Sequence, residues 1–173
     1  SRSLVAAFLA LLLGACSSPG VERYRAERPA LDLRTYLNGT IDAWGIFQDR
    51  SGEVKKRFHV LIDARWQGDV GTLDEHFTWS DGSRSRRVWT LTRQPDGRYV
   101  GRADDVVGEA IGEVAGNALR WRYVLALPVD ARTWHVDLDD WMFLIDDKVM
   151  LNRSYMSKWG IALGEISLTF VKR

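Results

Sequence analysis

Residues 57–69 read "RFHVLIDARWQGD". Phe58, Val60, Ile62, Ala64 and Trp66 alternate with Arg57, His59, Asp63 and Arg65, and the run stops at Gln67-Gly68-Asp69. Successive side chains of a strand point to opposite faces, so period-two alternation sets one face on a core and the other in water. The pattern returns at Leu119, Trp121, Tyr123, Leu125 and Leu127, with Arg120 and Arg122 between them. Both stretches therefore read as half-buried strands.

Working outward, turn signals recur at short intervals: Asp49-Arg50-Ser51-Gly52, Asp81-Gly82, Pro95-Asp96-Gly97, Gly116-Asn117, Pro128 to Arg132, Asp146-Asp147 and Lys158-Trp159-Gly160. Between them lie runs rich in β-branched and aromatic residues, nine or ten in all. Tight turns join antiparallel neighbours, so the natural topology is an up-and-down meander. That many strands in one small domain close into a barrel and so lose their edges. The expected fold is all-β, an antiparallel meander barrel over residues 30–173. A short helical segment around Leu31 to Leu37 precedes the first strand.

The 173 residues suit one domain, and 46% hydrophobic with 27% charged content is ordinary for a globular chain. Net charge is +1. Nothing resembles the basic footprint of a nucleic-acid binder, so no nucleic-acid partner is expected. The run Arg84-Ser85-Arg86-Arg87 reads as a solvated strand end.

Ahead of the barrel, Ser1-Arg2-Ser3 leads into an apolar run from Leu4 to Leu13, then Gly14-Ala15-Cys16. Ten apolar residues are too few for a spanning helix, which needs about 20, and the pattern reads as a secretory signal peptide. The segment Leu13-Gly14-Ala15-Cys16 resembles the bacterial lipobox, in which the Cys becomes the lipid-modified first residue. The division that follows is a lipoprotein signal peptide at 1–15, a lipidated tether at 16–29 and the barrel at 30–173. Cys16 is the sole cysteine, so no intramolecular disulfide can form, and acylation accounts for it better than redox chemistry. Several acyl chains would anchor it stably to a membrane. Ser17, by resemblance to bacterial lipoproteins, favours the outer membrane and a periplasm-facing domain in the cell envelope. A plain signal peptide with an incidental Cys is the alternative.

A meander barrel of this size is similar to the lipocalin and fatty-acid-binding superfamily. Tyr36 to Gly45 resembles their first strand, where a Gly precedes a Trp, although Gly39 and Trp44 stand five apart. A broader resemblance rests on "LDLRTYLNGTIDAWGIFQDRSG" (31–52), "TLDEHFTWSDGS" (72–83), "ADDVVGEAIGEVAGNAL" (103–119) and "DDWMFLIDDKVMLNRSYMSKWGIALGEISLTF" (139–170). Together these resemble the bacterial lipoproteins of domain-of-unknown-function family 3833. The resemblance implies a lipid-anchored envelope protein and assigns no activity. Genes of that family often lie near those for cyclopropane-fatty-acid-synthase-like enzymes, which leans the implication towards lipid metabolism.

Chemistry-bearing residues are sparse. His59, His76 and His135 fall in three different expected strands with no HExxH, so no metal site and no cofactor is expected. No G-x-S-x-G elbow is present. Gly108, Gly112 and Gly116 have the wrong spacing for a phosphate loop and read as kinks or close approaches in a curved strand, with a small-residue helix motif as the alternative. Adjacent aspartates, Asp104-Asp105 and Asp139-Asp140, split to opposite faces of a strand and cannot act as an acid-base pair. A catalytic pair would have to cross the lumen. Glu75, sharing a face with Leu73, Phe77 and Trp79, is one candidate, and Asp140 is another.

If Asp146-Asp147 is a two-residue turn, Asp140 faces Arg153 and Leu138 faces Tyr155. Asp140 then shares an apolar face with Trp134, Val136, Leu138, Met142 and Leu144, opposite the one arginine. The pair reads either as part of a head-group site, with Arg153 and Tyr155 holding an acidic lipid, or as a salt bridge that pins register. A three-residue turn would place Arg153 opposite Trp141 instead.

The leading expectation is a lipid-anchored barrel binding a fatty acyl chain or other amphipathic lipid, lined by Trp121, Tyr123 and Leu125, with Asp140, Arg153 and Tyr155 as polar contacts. Its alternatives are an enzyme acting on modified acyl lipids through Glu75 or Asp140, and a structural or partner-binding envelope lipoprotein with a filled barrel.

Overall fold

A computed structural model describes residues 20–173. The segments expected to be a signal peptide and a lipobox, with Cys16, lie outside the described residues. The described chain forms ten antiparallel strands: β1 (Gly39–Asp49), β2 (Val54–Gln67), β3 (Val70–Trp79), β4 (Arg84–Arg93), β5 (Tyr99–Arg102), β6 (Val106–Ala115), β7 (Ala118–Val129), β8 (Arg132–Leu144), β9 (Val149–Lys158) and β10 (Ile161–Lys172). Each pairs with its sequence neighbours and β10 closes onto β1, so the meander is a closed barrel. The β1–β10 pairing removes the two edges an open meander would leave.

The alternation that predicts the strands also sets their faces. Val60, Ile62 and Ala64 on β2 and Trp121 and Leu125 on β7 are buried, whereas Asp63, Arg65 and Arg122 are exposed. Large rings pack over glycines on neighbouring strands. A Cβ at Gly45 would lie 2.5 Å from Phe58 Cζ, and one at Gly71 would lie 2.6 Å from Trp66 Cε2. Gly108 (φ +68) sits in the bulge where the β6–β7 register slips between Val107 and Ile111, as its kinking role requires.

One end of the barrel is plugged. Asp32 caps a single helical turn, α1 (Leu33–Tyr36), by accepting the Arg34 N–H at 3.1 Å and the Thr35 hydroxyl at 2.9 Å. Leu31, Leu33, Tyr36 and Leu37 then join Ile41, Ile62 and Met150 in the main core. Trp66 Nε1–H donates to the Leu37 carbonyl at 2.7 Å, and the Tyr36 hydroxyl donates to the Lys148 carbonyl at 2.9 Å. Those bonds fasten the plug to the barrel. Among the described residues no such cover lies over the hairpin turns of the opposite end, and there the lumen-facing Phe58, Phe77, Tyr123 and Ile166 are only half-buried.

One expectation needs correction. The segment expected to be a tether is docked in part: a 3-10 turn (Val21–Tyr24) packs on the outer wall, with Val21 5% exposed among Ala115, Ala118 and Trp141. Tyr24 meets Trp141 and Phe143 edge-on, at centroid distances of 5.9 and 5.1 Å. This contact explains why outward-facing Trp141 is buried. Trp44, the tryptophan of the segment that resembles a lipocalin first strand, points outward, is 52% exposed and lies against His59. Parity decides its direction, since its neighbours Ala43 and Gly45 face the core.

Candidate functional site

The lumen-facing positions of β3, β4, β7, β8 and β9 are mostly apolar; buried Asn152 donates to the Trp141 carbonyl at 3.1 Å, and the ionisable groups gather at another level. There Glu75 stands beside Arg87 across the β3–β4 ladder, and Asp140 stands between Trp121 and Ser154. Tyr123, two residues along β7 from Trp121, faces the same space. The fifth ionisable group, Asp105, comes from the β5–β6 connection and reaches over the rim.

Arg87 holds this cluster together. Its Nε donates to both Asp105 carboxylate oxygens at 2.9 and 3.0 Å, and its Nη2 donates to Oδ2 at 2.7 Å. Its Nη1 lies 3.9 Å from Glu75 Oε2, an ion pair without a hydrogen bond. The Arg87 guanidinium also stacks 5.6 Å from the Phe77 ring centroid. Burial alone would pull its pKa down, but the Asp105 hydrogen bonds and the Glu75 charge outweigh that and push it up.

The two inward carboxylates behave differently from surface acids. The Glu75 side chain is 13% exposed. Burial raises its pKa to about 7, against the opposing pull of Arg87 and with help from the charges of Asp105 and Asp140. Asp140 is 7% exposed and accepts a short hydrogen bond from the Ser154 hydroxyl. Burial likewise raises it to about 7, although the Ser154 bond works the other way. Burial also drives the Tyr123 phenol well above its ordinary range, so it remains a neutral donor. At neutral pH the lumen thus holds two acids poised to gain or lose a proton, a fixed guanidinium and a phenol. Such a set can bind a polar head group or shuttle a proton.

Register overturns the expected Asp140–Arg153 pair. Residues 145–148 connect β8 and β9, and Leu144 stands opposite Met150. The Asp146 carboxylate accepts the Lys148 and Val149 N–H groups at 2.8 and 2.7 Å, which widens the turn beyond two residues. A one-residue slip reverses faces, so Arg153 lies opposite Trp141 and Tyr155 opposite Asp139, both on the outer wall. Arg153 pairs there with Glu165 at 2.8 Å and stacks 5.2 Å from the Tyr155 centroid. Both residues line an open outer groove of about 850 Å³, shared with Tyr24, Arg122, Trp141 and Phe143.

Trp121, Tyr123 and Leu125 do face inward, with Trp121 and Leu125 buried. Glu75 and Asp140 share the lumen as the cross-lumen candidates required, whereas Asp139 turns outward and pairs with Arg120 at 2.7 Å. Sequence reasoning missed Arg87, Asp105 and Ser154. Arg87 was readable in principle, because it has the parity of the core residues Trp89 and Leu91. Its neighbour Arg86 is the solvated member of the run, paired with Asp74 at 2.7 Å on the outside. Among the described residues, no group of three or more His, Cys, Asp or Glu side chains is arranged to hold a metal ion.

The fold and site define a closed, lipocalin-like β-barrel with an acid-rich polar cluster in its lumen. The chain belongs to the family described as "Protein of unknown function (DUF3833)", which matches residues 10–172. No curated protein matches it. Among solved structures it is similar to the S-type phycobiliprotein lyase CPES from Guillardia theta. That likeness has 10% identity and a TM-score of 0.58, and it covers 90% of this chain and 98% of that one. At that identity the likeness is one of fold.

Proposed function

We propose that this chain is an envelope lipoprotein whose barrel holds an amphipathic lipid, with the apolar part against the aromatic mouth and the polar part at the Glu75–Arg87–Asp140 cluster. The observation that carries the reading is a set of buried and half-buried ionisable side chains, Asp140, Glu75 and Arg87, converging inside a barrel interior that is otherwise mostly apolar. A purely structural barrel gains nothing from burying two carboxylates beside one guanidinium, since desolvating each charge is costly. An apolar pocket with a few convergent polar groups is the ordinary form of a small-molecule site. The solved neighbour is named a phycobiliprotein lyase, and its shared barrel is compatible with ligand handling here.

Charge narrows the class of head group. Glu75, Asp105 and Asp140 surround a single guanidinium that Asp105 already engages. The cluster therefore accepts hydrogen bonds more readily than it donates them. It favours a polar end that donates, such as a hydroxyl, amide, amine or protonated acid, over an ionised fatty acid. The anchoring part of the proposal rests on the sequence pattern before Ser17: acylated Cys16 would hold the barrel at the outer membrane on its periplasmic side.

The near-neutral acids favour one second reading, an enzyme acting on modified acyl lipids in which one carboxyl donates and the other accepts a proton. Native mass spectrometry of the full chain after gentle detergent extraction tests both. A co-purifying amphipath that is lost on Glu75→Gln and leaves chemically unchanged supports the carrier. A lipid altered on incubation with wild type but not with Asp140→Asn supports the enzyme. Protein that carries and alters no lipid overturns both and leaves a structural or partner-binding role.

A further inference from the structure

The open end of the barrel has an unusual rim. Trp159 is 80% exposed at the tip of the β9–β10 hairpin, in a left-handed backbone conformation (φ +51). Beside it Ile161 is 56% exposed, and on the β7–β8 hairpin Val129 and Trp134 are 43% and 38% exposed. Lys158 joins the two hairpins: its ammonium lies 4.5 Å from the Trp159 ring and 5.4 Å from the Trp134 ring, and it donates to the His135 carbonyl at 2.8 Å. A second unit of the same kind stands on the opposite side of the mouth, where the Lys56 ammonium lies 5.1 Å from the Trp79 ring.

The charges of that end are unbalanced. Arg50, Lys56, Arg57, Arg84, Arg132 and Lys158 border its turns, and none makes an ion pair among the described residues. Asp81, Asp104 and Asp130 there are likewise without an ion pair, and Lys55 is shared by Asp49 and Glu53, so six free cations stand against four uncompensated negative charges. Exposed apolar side chains ringed by uncompensated cations mark an interaction surface, and the excess positive charge calls for an anionic one. Indole rings settle at the boundary of headgroups and acyl chains, and lysines beside them reach outward to the phosphates.

We propose that the open rim docks on an anionic phospholipid bilayer, with Trp159 and Ile161 entering the interface and Lys158 and Arg132 meeting headgroup phosphates. The inference stands apart from any ligand assignment, because it rests on outer rim residues and not on the lumen cluster. Docking in this orientation would press the mouth against the membrane and open the lumen directly to lipid.

The test uses the full chain with Cys16→Ser, so that no acyl group carries it to the membrane, and vesicles of phosphatidylethanolamine and phosphatidylglycerol with brominated acyl chains. Wild-type tryptophan emission is expected to be quenched, and Trp159→Asn, a residue suited to the left-handed position, to lose the largest quenchable component. Lys158→Gln should lower the partition coefficient about fivefold, and zwitterionic phosphatidylcholine vesicles should bind more weakly than anionic ones. Equal quenching of wild type and Trp159→Asn overturns the proposal. So does a concentration-dependent dimer that Trp159→Asn dissolves without any vesicle quenching, since the patch would then belong to a second copy.

Discussion

Trp121 stands directly across the β6–β7 ladder from Gly112, and its indole fills the space a side chain there would need. A Cβ on Gly112 would come 2.6 Å from Trp121 Cζ3, and one on Gly101 would come 2.5 Å from Cη2. The ring is thus held over two bare backbones, with Trp89 edge-on at 5.5 Å. Gly112→Ala should overpack this layer and cost about 1–3 kcal/mol. Trp121→Ala should empty it and cost about 3–5 kcal/mol. Urea unfolding of both variants measures this, and a neutral Gly112→Ala would show that the layer is loose.

Glu75 and Asp140 make native stability depend on pH with a definite sign. Their ordinary values are 4.5 and 3.8, and both are raised to about 7 in the fold. Through that interval the native state keeps protons that the unfolded chain has released, so stability falls as pH rises and the loss is complete above about 7. The cost at the alkaline side is up to about 3 kcal/mol for Glu75 and about 4 kcal/mol for Asp140. Asp140→Asn should therefore raise the unfolding midpoint near pH 8 and leave it little changed near pH 4. An unchanged midpoint near pH 8 would mean that Asp140 is better solvated than its 7% exposure implies.

Removing the guanidinium should expose the cluster's dependence on it. Arg87→Leu strands the Asp105 carboxylate and leaves Glu75 without its nearby positive charge. The expected cost is about 1–3 kcal/mol, moderated because the Asp105 side chain is 40% exposed and can rehydrate. Adding Asp105→Asn to Arg87→Leu should recover part of the loss. A double-mutant cycle with zero coupling would show that the two residues are neighbours without being partners.

Arg153 supplies a control on the outer wall. Its pair with Glu165 is exposed on both sides, at 58% and 38%, so Arg153→Ala should change stability by less than about 1 kcal/mol. Retention of any lumen lipid, followed by native mass spectrometry, should be unaffected. Loss of lipid in this variant would move the binding site from the lumen to the outer groove.

The strands were legible because alternation is a local property. Phe58 to Trp66 and Leu119 to Leu127 declare their inward faces without reference to any neighbour, and turn residues at short intervals imply a closed meander. The inward placement of Glu75 and Asp140 follows from the same parity. The partnering of Asp140 was not legible, because it depends on how many residues the β8–β9 turn consumes. Asp146 settles that number by capping Lys148 and Val149, and one residue more than expected turns Arg153 outward.

The polar cluster is more distant still from anything local. Glu75, Arg87, Asp105, Tyr123, Asp140 and Ser154 belong to β3, β4, the β5–β6 connection, β7, β8 and β9, and only barrel closure brings them to one level. The amino-acid sequence by itself determined a barrel, its inward faces and a chain start with the pattern of a lipid anchor. Tertiary structure alone decided which charges meet, because period-two alternation assigns a side chain to a face, while ladder register and closure assign it a partner.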